Sequence, residues 1–168
     1  MIVLIKRMGL LCAALVLCAS GCAGNAPKVT ATFNQGAGLV GDLPMNPLTW
    51  RVITSVIGTG DGTMSTLYGN DVAVGYARTH SQRDYPTGSV LSLVTWTQIE
   101  DPRWYGAKIP GQVKSVEFLT VGAADSGAPR YSYESFTGNP LKKAPAQQTD
   151  APPERIAYFL SSRAAVMP

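Results

Sequence analysis

The sequence predicts an α+β fold: a single domain with about five antiparallel strands in one sheet and short helices packed on it. Segments rich in β-branched and aromatic residues recur along the chain, and Gly- and Pro-containing turns separate them. Two other segments carry apolar residues at helical spacing. The chain has 168 residues, 45% hydrophobic and 15% charged, which suits one ordinary domain and excludes disorder and a polytopic membrane protein.

The N-terminal residues have the features of an export signal. Two bases and no acid precede or accompany an apolar run over residues 8–19, as in secretory signals. This run is too short to span a bilayer, which needs about 20 residues. The run ends in Ala19-Ser20-Gly21-Cys22, which resembles the lipobox of bacterial lipoproteins. We therefore expect a lipoprotein signal peptide over residues 1–21 and lipidation, including palmitate, at Cys22. An ordinary cleaved signal with an incidental cysteine is the alternative.

This leader determines the expected location and the remaining thiols. A lipid-anchored protein would lie on the periplasmic face of a membrane, and Ala23 in place of a retention Asp favours the outer membrane. Cys12 and Cys18 leave with the signal and Cys22 carries lipid, so the mature domain has no disulfide, thiolate metal site or Cys nucleophile. The mature chain is nearly neutral, so nucleic acid is not an expected partner.

The rest of the chain is assigned element by element. Residues 22–47 are rich in Ala, Gly, Asn and Pro and predict a flexible tether, so the folded domain is expected over residues 48–168. Asn70 or Asp71 can cap the first helix, and Pro153 suits the start of the second. The expected strands are residues 49–58, 63–69, 89–98, 114–121 and 130–136. The expected helices are residues 70–78 and 153–163. Turns are expected at 58–62, 85–88 and 110–111, and a surface loop is expected over 138–151.

A series of residues resembles the cytochrome P460 family, which is akin to cytochrome c′-beta. The series is Trp50, Asn70-Asp71, Tyr85-Pro86-Thr87-Gly88, Trp96 and Glu117-Phe118. In that family a Trp-containing strand leads to a short helix, and a Trp/Tyr-Pro-Asp-Gly turn then opens the central strand; Thr87 replaces the usual Asp. The resemblance implies an antiparallel sheet with helices against it, a haem pocket and, often, a dimer.

The departures from this family concern its cofactor. Haem-bearing members attach c-type haem through Cys-x-x-Cys-His near the C-terminus, and members that oxidise hydroxylamine cross-link a strand Lys to the porphyrin. Here no Cys or His follows Phe136, and the central strand has Leu91, Leu93 and Val94 where that Lys would lie. The resemblance therefore transfers no haem ligand and no catalytic residue. We expect no cofactor, with haem possible only noncovalently.

Several side chains are candidates for a site, each with a plainer interpretation. His80, the only imidazole, is a solvated loop residue or a ligand for noncovalent haem or another metal. Tyr68 and Trp96, with the aromatic pair Trp104-Tyr105, line an apolar pocket or fill the core. Two further candidates remain. The Gly58–Gly62 segment is either a hairpin turn or a phosphate loop. The Glu100-Asp101 pair is either part of a loop or an acid–base site.

Two hypotheses of function follow. In the first, an exported, lipid-anchored domain has lost covalent haem and acts as a binding or interaction module of the envelope. Its partners are the membrane, through Cys22, and a small-molecule ligand or an envelope protein. In the second, a redox protein holds noncovalent haem in the family pocket, using His80 or a Tyr. An unrecognised hydrolase is a third, less favoured hypothesis.

Overall fold

The computed structural model describes residues 34–80, 84–125, 128–145 and 153–165. The signal peptide expected over residues 1–21 and the lipid attachment expected at Cys22 lie outside the described residues. Within the described ranges, no helix has both the length and the apolar character needed to cross a bilayer.

Six strands form one antiparallel sheet in which neighbours along the chain are neighbours in space. The expected α+β class is confirmed, and the sheet exceeds the expected five strands because a two-residue strand follows the fifth. The strands are β1 (Arg51–Ile57), β2 (Thr63–Gly69), β3 (Val90–Glu100), β4 (Lys108–Asp125), β5 (Ala128–Thr137) and β6 (Lys142–Lys143), and the α-helices are α1 (Asp71–Thr79), between β2 and β3, and α2 (Pro153–Ser161).

Asn70 joins the start of α1 to the turn before β3. Its side-chain oxygen accepts a hydrogen bond from the Ala73 N–H at 3.0 Å, which satisfies a backbone donor left free in the first helical turn. Its amide nitrogen donates to the carbonyl of Gly88 at 2.8 Å. Gly88 has φ +86°, as expected where the turn needs a left-handed residue. Both the cap and the turn were expected from the sequence.

The two faces of the sheet are covered by different kinds of structure. On the helix face, α1 and α2 pack on the sheet, and buried residues such as Leu91, Leu119 and Phe159 form the larger core. On the opposite face, which we call the segment face, the chain before β1 packs on a second core that includes Trp96, Phe118 and Phe136. Alternation of side chains along β3 and β4 supplies both cores from the same strands.

The N-terminal segment, residues 34–49, differs from its expected behaviour. Part of it, residues 34–47, was assigned to the flexible tether, but Ala37, Leu39 and Leu43 pack against the segment-face core. A 3₁₀ turn at Gln35–Ala37 and another at Pro47–Thr49 shape it. The folded domain therefore begins by residue 34 rather than residue 48. The sequence did not reveal this because the contacts are backbone hydrogen bonds and a few scattered apolar side chains.

The predictions of a turn at 110–111 and of a surface loop over 138–151 are also partly wrong. Pro110-Gly111 lies inside β4, where Pro110 pairs with Gln98, because β3 and β4 continue as a two-stranded arm beyond the end of β2. Gly111 is required by close approach: a Cβ there would meet the side chains of Thr97 and Ile99. In the loop expected over residues 138–151, Leu141 is buried in the segment-face core and β6 follows it. Residues 146–150 of that loop lie outside the described ranges.

Candidate functional site

The three residues considered for cofactor binding do not converge. Tyr68 and Trp96 lie with the segment-face core, whereas His80 follows α1, which packs on the helix face. His80 is exposed and its ring stacks on Tyr76 with centroids 4.3 Å apart. Its Nδ1 lies 2.7 Å from the Thr79 hydroxyl. His80 is thus an exposed residue that directly follows α1.

Aromatic rings dominate the segment face. Phe118 makes edge-on contacts with Trp50, at 6.3 Å between centroids, and with Phe136, at 5.8 Å. Trp96 is only 3% exposed, and its indole N–H donates to the Ala37 carbonyl at 2.9 Å. The rings thus fill space beneath the N-terminal segment. Trp96 serves as a core residue that also holds this segment.

Tyr68 is half-buried beside this cluster. Burial raises the pKa of its hydroxyl, and a hydrogen bond with Thr66 partly offsets that rise. Tyr68 pairs across the strands with Ser92, which in turn pairs with Phe118. The Ser92 hydroxyl is fully buried and has no hydrogen-bond partner within the described residues. Sequence reasoning missed Ser92, because a serine in a strand carries no signal of its burial.

An open cleft lies beside the aromatic cluster, between the N-terminal segment and the last strands. Its volume is about 540 Å³. Phe136 and Leu43 give it an apolar part, while Lys142 and Glu134 contribute opposite charges. The remaining lining residues are Asp42, Pro44 and Lys143, and Lys143 forms an ion pair with Glu134 at 2.5 Å. This cleft can accommodate a small ligand with apolar and polar parts.

A charged network crosses the helix face. Arg155 of α2 donates two hydrogen bonds to the Glu117 carboxylate of β4, at 2.6 and 2.5 Å. The Tyr133 hydroxyl donates to the same carboxylate at 2.7 Å. Burial, followed by the hydrogen bond to Glu117, raises the pKa of Tyr133 to about 12. The hydrogen bond to Glu117 also raises the pKa of Arg155, and this ion pair fixes α2 to the sheet.

The network could be only partly foreseen. The alternation around Val116 and Phe118 places Glu117 on the opposite face of β4, where the helix-face core lies. An acid at a core-facing strand position is a signal for a charged partner, since buried charges are ordinarily paired. The partner, Arg155, is 38 residues further along the chain. No local spacing rule identifies it.

Of the remaining sequence candidates, Trp104 and Tyr105 are exposed and do not fill the core, whereas the other two have structural roles. Gly58–Gly62 closes the β1–β2 hairpin: Gly62 has φ +62°, and Asp61 accepts hydrogen bonds from Thr63. The hydrogen bond from the Thr63 side chain is the main reason why the pKa of Asp61 is lowered. Glu100 forms an ion pair with Lys108, and Asp101 forms one with Arg103. They therefore do not form the shared carboxylate site that acid–base catalysis would need.

Comparison with protein families matches residues 48–153 of the chain to the cytochrome P460 model. The chain belongs to the cytochrome P460 family. The match covers β1 to β6 and reaches the start of α2, and it bears out the resemblance drawn from the sequence. A search of curated proteins found no match.

The cytochrome P460 family binds haem, a group that needs a donor side chain for its iron. The open cleft is lined by acids, lysines and apolar residues, and a smaller one of about 250 Å³ includes Trp50, Arg51 and Asn70. Neither lining includes a His, Cys, Met or Tyr, the side chains that ordinarily hold haem iron. In the described part of the chain, no three His, Cys, Asp or Glu side chains cluster as a metal site would require. The donor groups of these clefts do not fit haem.

Proposed function

We propose that this cytochrome P460 family member holds no haem and acts as a lipid-anchored binding or interaction module of the cell envelope. The main support is the set of side chains that line the two clefts, because none of them is a usual ligand of haem iron. The sequence supports it, since the 168 residues contain no Cys-x-x-Cys-His and no cysteine after Cys22. The lipobox-like Ala19-Ser20-Gly21-Cys22 supports the anchor.

The packing of the sheet supports a haem-free domain as well. Phe159 and Leu160 of α2 are buried on the helix face, and Phe118 and Phe136 are buried on the segment face. Both faces are thus filled by the chain's own side chains. The open cleft beside Phe136, with charges of both signs at its rim, supports binding of a small polar ligand or of a side chain from a protein partner.

A haem titration tests the first part. The purified wild-type chain and the His80→Ala variant are mixed with haem, and their visible spectra are compared. We expect no protein-dependent Soret band in either sample. A Soret band that His80→Ala abolishes would overturn the haem-free proposal and support a redox protein with noncovalent haem.

Labelling tests the anchor. Cells that express the wild-type chain or the Cys22→Ser variant are given radioactive palmitate. We expect label in the wild type and none in the variant, because the Cys22 thiol is the proposed attachment atom. Label that persists in Cys22→Ser would refute attachment at this residue.

A further inference from the structure

The β3–β4 arm, residues 98–110, ends in two adjacent exposed aromatic rings. Trp104 is 68% exposed and Tyr105 is fully exposed. Ile99, on β3 just before the tip, is also exposed. The other two tryptophans, Trp50 and Trp96, are at least half-buried. Single exposed apolar residues are common, but a Trp-Tyr pair beside an exposed Ile at a projecting tip is typical of a contact surface.

The tip is a structured loop. The Asp101 N–H donates to the Ala107 carbonyl at 2.9 Å, and the Ala107 N–H donates to the Trp104 carbonyl at 3.1 Å. The Asp101 carboxylate accepts from the Arg103 N–H at 2.8 Å. Gly106 has φ +77°, which permits the tight turn beside the rings. These hydrogen bonds fix the backbone that carries the two exposed rings.

The charges at the tip compensate one another. Lys108 forms an ion pair with Glu100, and Arg103 forms one with Asp101. Two bases and two acids leave no net charge to attract or repel anionic headgroups. Contact with a partner would therefore depend on apolar and aromatic burial. Trp and Tyr prefer the interface between water and hydrocarbon, where one end of the side chain is apolar and the other is hydrated.

The position of the chain's start relates this tip to a membrane. The Asn34 side chain donates to the Pro110 carbonyl at 2.5 Å, so the first described residue lies at the base of the arm. Asn34 follows Cys22 by 12 residues, which reach at most about 40 Å when fully extended. A lipid at Cys22 would thus keep the base of the arm within about 40 Å of the bilayer, and such tethering lets a weak contact form.

We propose that the tip of the β3–β4 arm docks on the lipid bilayer, with the Trp104 and Tyr105 rings in the headgroup region. The inference rests on the proposed lipid anchor at Cys22, and it adds a second contact that orients the domain. The open cleft would then stand in a fixed relation to the membrane surface. Because the tip has no net charge, docking should persist when salt is raised.

Tryptophan quenching by brominated lipid tests the docking. The wild-type chain, purified from bacterial membranes in mild detergent, is reconstituted into phosphatidylcholine vesicles with plain or brominated acyl chains. We expect brominated vesicles to reduce the emission of the wild type and not that of Trp104→Phe, since bromine quenches only nearby indoles. Trp50→Phe is the matched control and should retain the loss of emission. Flotation of the vesicles and palmitate uptake report the anchor in the same preparations.

The possible outcomes separate the two proposals. A chain that takes up palmitate and floats with vesicles, but shows no Trp104-dependent quenching, overturns the docking and leaves the anchor standing. Trp104-dependent quenching without palmitate uptake overturns the anchor alone. Absence of quenching together with a dimer that Trp104→Phe dissociates in sedimentation assigns the tip to a second copy of the chain, and overturns docking on lipid.

Discussion

The two faces of the sheet are closed by different means. On the helix face, α1 and α2 bury large side chains such as Phe159, and the Glu117–Arg155 ion pair fixes α2 in place. On the segment face, the N-terminal segment lies across a smaller aromatic core. It is held by the Trp96 indole and by the Leu141 N–H, which donates to the Val40 carbonyl at 2.7 Å.

This difference predicts which part of the domain unfolds locally first. Elements that bury large apolar area unfold with the whole domain, whereas those held by few hydrogen bonds open locally. We therefore expect changes on the helix face to lower global stability. Changes on the segment face should first release the N-terminal segment and enlarge the adjacent cleft.

The largest expected effect is the loss of the Phe159 ring. Phe159→Ala leaves a cavity under α2 and should lower the free energy of unfolding by about 3–5 kcal/mol, measured by urea denaturation. Phe159→Leu fills more of the space and should cost less. Phe136→Ala, whose ring borders the open cleft, should also cost less. Equal losses for Phe159→Ala and Phe136→Ala would contradict the proposed difference between the faces.

Gly41→Ala should detach the N-terminal segment. Gly41 has φ +147°, and a Cβ there would overlap the Leu141 backbone, so we expect a cost of about 1–3 kcal/mol. Limited proteolysis should show faster cleavage within residues 34–49 in the variant. Gly75→Ala is the matched control, because its Cβ would meet no atom within 4 Å. Unchanged cleavage in Gly41→Ala would show that this segment does not depend on the approach to Leu141.

Trp96→Phe should have a smaller effect on the same face. The variant keeps an aromatic ring but loses the donor to the Ala37 carbonyl, which is worth about 1 kcal/mol. Hydrogen exchange should accelerate in residues 34–49 more than in β3. Trp104→Phe, at an exposed position, is the control and should leave exchange in both regions as it is in the wild type. A uniform rise in exchange for Trp96→Phe would mean that the two faces open together.

Tyr133→Phe removes a hydrogen-bond donor to Glu117, and its effect on stability is expected to depend on pH. The folded state raises the pKa of Tyr133 from 10.0 to about 12, so the native protein retains this proton longer than the unfolded chain does. The resulting stability is present below pH 10 and is lost as the pH rises from 10 to 12. Denaturation midpoints over this range should fall less steeply in the variant. An identical slope in both proteins would exclude a contribution from Tyr133.

Much of the fold was predictable because its signals are local. The Asn70 cap, the Tyr85-Pro86-Thr87-Gly88 turn and the alternation along β3 depend on neighbouring residues and on backbone preferences. The burial of Ser92 was not predictable, since it depends on Tyr68 and Phe118 on the adjacent strands. The partnership of Glu117 with Arg155 was unpredictable for the same reason.

The sequence alone is enough to predict the α+β class and the order of the main elements. It also shows the cytochrome P460 resemblance and the absence of Cys-x-x-Cys-His within these residues. These follow from local periodicity, turn chemistry and the presence or absence of particular atoms. Three features depend on the tertiary structure: residues 34–47 pack on the sheet, His80 lies apart from Tyr68 and Trp96, and the first described residue lies at the base of the arm that carries Trp104 and Tyr105. Such contacts join residues far apart along the chain, and no local preference specifies them.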